Sequence, residues 1–308
     1  MSRKDLTLGL AVVTMWGANF TVIKLGLDGV SPMLLAALRF ALAAIPAIAF
    51  VPRPQVASRY LVLYGLTVGL GQFGCLFYAM AIGMPAGIAS VVLQSQAFFT
   101  IVFAAVLLRE SISGAQLAGL GVAALGLGLV GLATGAEGAA AIPLGAFLLT
   151  LVAAAFWGIS NIVVRKAAAS QGERLDMLGM VVWSSLIPPI PLLLLALLMG
   201  SPGGVARSVT ALSATSLFAI AYLAFGATLF GYGAWNKLLS RHPAGTVAPL
   251  SLLVPITGLL TAMLVLGEQL SMLQWSGCLV IIAGLLVFNY GSRITRRGAR
   301  ATRRNSTR

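Results

Sequence analysis

Ten apolar runs, each close to twenty residues long, leave this chain one kind of fold. They fall at roughly 5–26, 32–51, 61–82, 86–108, 114–133, 143–166, 176–199, 213–238, 244–266 and 271–291. A run of that length crosses about 30 Å of hydrocarbon as a helix, and a helix satisfies its own backbone amides where no water can. With 59% of 308 residues hydrophobic and 9% charged, the chain has more apolar surface than a water-soluble core can hide. The expected fold class is therefore all-α and integral to the membrane, with ten transmembrane helices. The first run follows Arg3 and Lys4 as a secretion signal would, but it has no convincing cleavage site and has a counterpart in the sixth run. It is read as a permanent span.

The sequence also matches itself. At an offset of 158 positions, Tyr64 falls on Tyr222, Pro85-Ala86-Gly87 on Pro243-Ala244-Gly245, Glu110 on Glu268, Ser113 on Ser271, Gln116 on Gln274, Gly119 on Gly277 and Gly126 on Gly284. Only four Glu occur in the chain, so two of them coinciding beside a shared Pro-Ala-Gly points to a duplicated unit. The first two runs of each copy match at a different offset. Trp16-Gly17-Ala18-Asn19 is echoed by Trp157-Gly158-Ile159-Ser160-Asn161, and Pro46 by Pro191.

Basic residues set the orientation. One set of connections holds Arg3, Lys4, Arg53, Arg59, Arg109, Arg165, Lys166, Arg174, Lys237, Arg241 and the seven arginines of the tail, whereas the other holds Lys24 and Arg207. The positive-inside bias then puts both termini in the cytoplasm. Five spans per copy is an odd number, so the copies enter the membrane from opposite faces as inverted repeats. The net charge of +13 is thereby spent on topology, and no nucleic-acid partner is expected. The expected divisions are a first repeat at 1–133, a short external linker at 134–142, a second repeat at 143–291 and a basic cytoplasmic tail at 292–308. Cys75 and Cys278 do not correspond under the duplication and read as packed free thiols.

Polar side chains inside spans are unfavourable unless they face a partner helix or a wet cavity, and they mark the candidate site. Trp16 and Asn19, like Trp157 and Asn161, share one helix face in each copy. Gln72 and Tyr78 come from the third run, Gln94 and Phe98 from the fourth, Tyr232 from the eighth and Ser251 from the ninth. Gln94 and Gln96 point about 200° apart, so one lines a cavity and the other joins helices. Trp235 reads as an interface anchor, and Pro188, Pro189 and Pro191 are expected to bend the seventh run. Pro85 and Pro243 follow very short turns and open their helices, while Pro249 and Pro255 bend the ninth run. These four prolines are the candidate gates and hinges. Glu110 and Glu268 are expected to sit in the dipole of the next helix, and Arg39 to snorkel or to find Asp28.

Absences narrow the chemistry. No Asp or Glu lies near the middle of a span, and the single His242 is at a turn. A proton relay, a buried carboxylate for a cationic drug, an aspartate pair, a metal site and a serine with a base are all missing. No enzyme activity, cofactor or metal is expected.

The Trp16 to Phe20 segment, Leu38-Arg39-Phe40, Gly83-Met84-Pro85-Ala86-Gly87, the run Val92 to Thr100, Ala248 to Pro255 and the Gly267-Glu268 step resemble the EamA family of the drug/metabolite transporter superfamily, and among its members the bacterial exporters of amino acids and their derivatives. The resemblance covers residues 3 to about 290. It implies a ten-helix inverted-repeat carrier of the inner membrane, with a cavity between the first, third, fourth, sixth, eighth and ninth helices that faces each side in turn; a monomer is expected. The expected function is export of a small-molecule substrate, an amino acid or related metabolite, from a site lined by the residues named above. The alternatives are a carrier of sugars or phosphorylated metabolites, which needs basic groups at the midplane, and a scaffold or receptor without flux.

Overall fold

A computed structural model describes residues 1–133, 142–170 and 175–305, the last stretch from 292 by its backbone alone. The expected linker, apart from Ile142, and Arg174 lie outside the described residues. Each apolar run is a helix: α1 Arg3–Gly26, α2 Pro32–Ala49, α3 Ser58–Ala81, α4 Ala86–Leu108, α5 Gly114–Leu132, α6 Leu144–Ala169, α7 Met177–Met199, α8 Ala214–Arg241, α9 Pro249–Leu266 and α10 Met272–Gly291. No β-strand occurs among the described residues. The chain is a multi-pass membrane protein. Large side chains such as Leu198 and Leu264 are 81% and 83% exposed, a surface that only lipid can solvate without cost.

Span ends are capped where the backbone needs it. Ser2, Ser31, Asp176 and Ser213 each accept a backbone N–H of the first turn of α1, α2, α7 and α8. Ser113 with Gln116 and Ser271 with Gln274 build the same reciprocal box at the starts of α5 and α10. The two copies also share their irregularities. Gly65–Phe73 in α3 and Tyr222–Phe230 in α8 are π-helical. Leu93–Ser95 in α4 and Ala248–Leu253, which runs into α9, are 3₁₀ turns. The expected bends are present: Pro249 lies within the second of these turns, and α7 breaks between Ser184 and Pro189, at Pro188.

Packing crosses between the halves of the sequence. α5 and α10 lie antiparallel with reciprocal contacts. Gly119 faces the Phe288 backbone as Gly277 faces that of Val130, and Gly126 faces Ile281 as Gly284 faces Ala123. In the same way α1 meets α9 at Gly17 and Gly258, and α6 meets α4 at Gly158 and Thr100. Thr100 and Gly258 are themselves 158 positions apart. At Gly17 the approach is backbone to backbone: a Cβ there would lie 2.7 Å from the Gly258 nitrogen. The first helix of each half thus leans on the fourth of the other, and the largest buried side chains, among them Ile23, Leu34, Leu35, Phe77, Met80 and Met84, fill the space between α1, α2, α3 and α4.

Candidate functional site

The site is organised by a cation placed where none of the described residues supplies an anion. α2 is apolar on every side, so its one charged residue, Arg39, is carried about 10 Å beyond the first helical residue by the helical rise. There it is 3% exposed. It neither snorkels nor meets Asp28; three phenylalanines hold its guanidinium inward. The Phe73 ring centroid is 4.1 Å from Cζ, with Phe40 at 4.9 Å and Phe77 at 5.8 Å. Such contacts favour a desolvated cation by about 2 kcal/mol, less than the several kcal/mol that removing it from water costs. Nη2 donates to Thr228 Oγ1 at 3.0 Å. Nε and Nη1 are buried without a partner.

A small cavity of about 20 Å³ opens beside this group, room for one or two waters. Its walls come from α2 (Arg39, Phe40), α3 (Tyr64, Val68, Phe73), α7 (Val181, Ser184, Ser185, Pro188) and α8 (Thr228, Tyr232). The π-helical segments and the α7 break lie in these walls, because irregular backbone is tolerated in lipid where it faces protein or a cavity. Of the elements expected around a cavity, α3 and α8 contribute and α2 and α7 are additional. The close crossings α1 with α9 and α4 with α6 press those four helices together, whereas the proline break leaves space beside α7. The hydroxyls of Ser184 and Ser185 donate to Val181 O and that of Thr228 to Leu223 O, so these donors are already engaged.

Of the residues singled out from sequence, Tyr232 lines this cavity. The Trp16 ring lies tilted against it, with centroids 5.5 Å apart, and against Trp235 at 5.2 Å, and its Nε1–H donates to Ala227 O in the π segment of α8 at 2.9 Å. Trp235 is thus part of an aromatic cluster rather than a lone anchor. Asn19 and Gln72 are buried, with Asn19 Oδ1 and Gln72 Oε1 unpartnered. Asn161 is differently placed: Nδ2 donates to Gln96 Oε1 at 2.8 Å and Thr100 Oγ1 at 2.9 Å, joining α6 to α4. Gln96 is therefore the joining glutamine, and Gln94 is half-buried. Phe98 meets Phe288 edge to face at 5.3 Å, and Tyr78 and Trp157 pack against the main core. Ser251 is half-buried in the 3₁₀ turn that opens α9.

The short turns carry a second arrangement. Pro85 stands just before α4 and has no side chain with which to cap it. Glu268, from the other half, does so: Oε1 accepts the Ala86 N–H at 2.6 Å and Oε2 that of Gly87 at 2.9 Å. Glu268 thus serves α4 and not the helix that follows it, because Ser271 and Gln274 already cap α10. Glu110 pairs with Arg165 instead. At the same end as Glu268, Lys24 Nζ donates to Met80 O at 2.9 Å and Met84 is fully buried. At the other end, His242 beside Pro243 bonds Asp5 Oδ2 at 3.0 Å.

Arg39 was visible in the sequence as the one midspan charge, but its partners were not: Phe73 and Phe77 are one turn apart on α3, while Thr228 is 189 residues away. Tyr64, Ser184 and Ser185 were not expected at the site. Their one local signal is the Ser-Ser pair just ahead of Pro188-Pro189 in an apolar run.

Residues 4–132 and 144–290 each match the model of the EamA-like transporter family. The chain is 46% identical over 296 residues to a protein of Salmonella typhimurium named "Probable amino-acid metabolite efflux pump", covering 96% of this chain and 98% of that one. A protein of the same name from Escherichia coli is 46% identical over 293 residues, 95% and 97% of the two chains. A solved crystal structure aligns over 96% of this chain and 99% of its own, with a TM-score of 0.62 at 19% identity, a likeness of fold.

Proposed function

We propose that this chain, which belongs to the EamA-like transporter family, exports amino acids or closely related small metabolites across the bacterial inner membrane by alternating access. The observation that carries this reading is the cavity of Arg39 and Tyr232, whose walls come from two helices of each half. Sites of carriers built from repeats lie where the repeats meet, and the names of the 46% identical relatives narrow the substrate to amino-acid metabolites.

In this reading residues 1–133 and 143–291 are two inverted five-helix repeats, with both termini in the cytoplasm. The reciprocal contacts of α5 with α10 support it, since an antiparallel pair that exchanges equivalent residues has local two-fold symmetry. Tyr232 and Trp16 form one face of the substrate path, and the unpartnered oxygens of Asn19 and Gln72 give it acceptors deeper in the bundle. Tyr78, Gln94, Phe98, Trp157, Asn161 and Ser251 complete the path as the halves move. The turns at Pro85 and Pro243 act as gates, with Pro249 and Pro255 as the α9 hinge, and Glu268 is the clasp of the gate at Pro85. No span carries a carboxylate at mid-depth, so the substrate's own gradient drives export without a proton relay. One chain supplies both halves, so the reading needs no partner subunit. A carrier of phosphorylated metabolites is the second reading, favoured by the buried cation Arg39.

The test is counterflow in liposomes holding the purified protein. Internal unlabelled amino acid should accelerate entry of the same labelled amino acid above protein-free vesicles for at least one member of a broad panel. No acceleration with any member, by protein that is monodisperse and folded, overturns export. A response to phosphorylated metabolites alone selects the second reading.

A further inference from the structure

We propose that Arg39 is the anchor for the carboxylate of the transported molecule, so that a free acid group is an obligatory part of the substrate. The inference rests on the export reading and adds what that reading lacks, the chemical group recognised.

A guanidinium has five N–H donors in a fixed fork. Here one nitrogen meets a hydroxyl, and the other two, Nε and Nη1, face no acceptor although the group is 3% exposed. A buried, unpaired cation is among the costliest states a side chain adopts, and charges kept inside membranes pair with something. The described acidic residues do not supply that partner. Asp5, Asp28, Glu110, Asp176 and Glu268 all stand at span ends or in connections, and none lines the cavity. The missing acceptor therefore comes from outside the chain.

The surroundings select its kind. The cation is single and the cavity wall adds no second one, which matches the single charge of a carboxylate and leaves part of a phosphate's charge of nearly −2 unmet. The planar fork suits two coplanar oxygens. The hydroxyls of Ser184, Ser185 and Thr228 are engaged, and that of Tyr64 bonds Tyr232, which leaves Tyr232 as the other group able to donate to the acid. At about 20 Å³, the cavity has space for the head group's solvent and none for a side chain. The body of the substrate enters when α3 and α7 part at Gly69 and Pro188, where a Cβ on the glycine would overlap the proline ring.

The experiment uses the full-length purified protein and its Arg39→Met and Arg39→Lys variants. Thermal midpoints and tryptophan fluorescence are read while titrating amino acids, the corresponding amides and inorganic phosphate; Trp16, whose ring lies tilted against Tyr232, is the reporter. Free amino acids are expected to raise the midpoint of the unsubstituted protein, and amides to need about tenfold to a hundredfold higher concentration. R39M abolishes the response to the acid, and R39K weakens it because an ammonium lacks the fork. Without ligand, R39M melts at the same temperature as the parent or higher, since it removes an unmet charge. The inference is overturned by amides as effective as acids, by a response to acid that survives in R39M, by no response to any acid, or by phosphate acting as well as the acids. It is also overturned by an R39M protein that melts markedly lower, which makes Arg39 structural. Acid binding without counterflow keeps the anchor and removes export; counterflow of acids and amides alike, undiminished in R39M, does the reverse.

Discussion

Arg109 and Gly267 stand 158 positions apart and end α4 and α9 in the same left-handed conformation, with φ of 57° and 65°. The next residue in each copy, Glu110 or Glu268, reaches back with its N–H to Ala104 O or Ala262 O, also 158 apart. One half uses the residue suited to this cap and the other uses arginine, for which the left-handed region costs about 1–2 kcal/mol. Replacement Arg109→Gly should raise stability by about 0.5–1 kcal/mol, the gain being reduced by the greater freedom of glycine in the unfolded chain. The measurement is the thermal midpoint in detergent; an unchanged or lower value shows that Arg109 makes compensating contacts.

Glu268 joins the halves at one end of the bundle. Glu268→Ala leaves the Ala86 and Gly87 N–H groups without their charged acceptor and should cost about 1–2 kcal/mol. It should also loosen the turn before α4. A cysteine placed at Met84, which is fully buried, would resist a membrane-impermeant thiol reagent in the parent and react in the E268A background. Equal labelling in both means the clasp does not hold that end closed.

Asn19, three residues beyond Trp16, and Asn161, four beyond Trp157, should respond differently. Asn161→Ala removes two interhelical hydrogen bonds and is expected to lower stability by about 1–2 kcal/mol. Asn19→Ala deletes an oxygen with no partner, so its effect on the melting temperature should be small while counterflow falls several-fold. Wild-type flux in N19A at equal expression removes Asn19 from the substrate path.

Gly17→Ala brings a methyl group to 2.7 Å from the Gly258 nitrogen and 2.0 Å from Thr257 Oγ1. A rotamer change could relieve the Oγ1 contact but neither the 2.8 Å approach to Thr257 Cβ nor the backbone contact, so α1 and α9 must separate. A loss of about 1–3 kcal/mol is expected, read as lower yield of monodisperse protein and a lower midpoint. If G17A is as stable as the parent, α1 has room to shift.

Length and hydropathy made the ten spans readable, and periodicity of the whole chain made the duplication readable, because both signals are local or repeat at one fixed offset. The break at Pro188 and the bends around Pro249 followed from missing amide hydrogens. The π segments did not, since nothing in Gly65–Phe73 distinguishes a wide turn from an ordinary one; the choice is made by what packs on it. Arg39 shows the same limit. Its charge and depth were evident, but whether it leaned to water or inward depended on Phe73 and Phe77, one turn apart on a different span. Asn161 was chosen for its polarity, and that polarity is taken up by Gln96 and Thr100, partners more than sixty residues upstream.

The leaning of α1 on α9, and of α6 on α4, bears on how such a chain is assembled. A gene divided between its two halves would encode two fragments, each with a bare stripe on its opening helix that only the companion fragment covers. Neither should persist alone, and the two made together should reconstitute what the single chain is. The single polypeptide spares the two halves that search for one another.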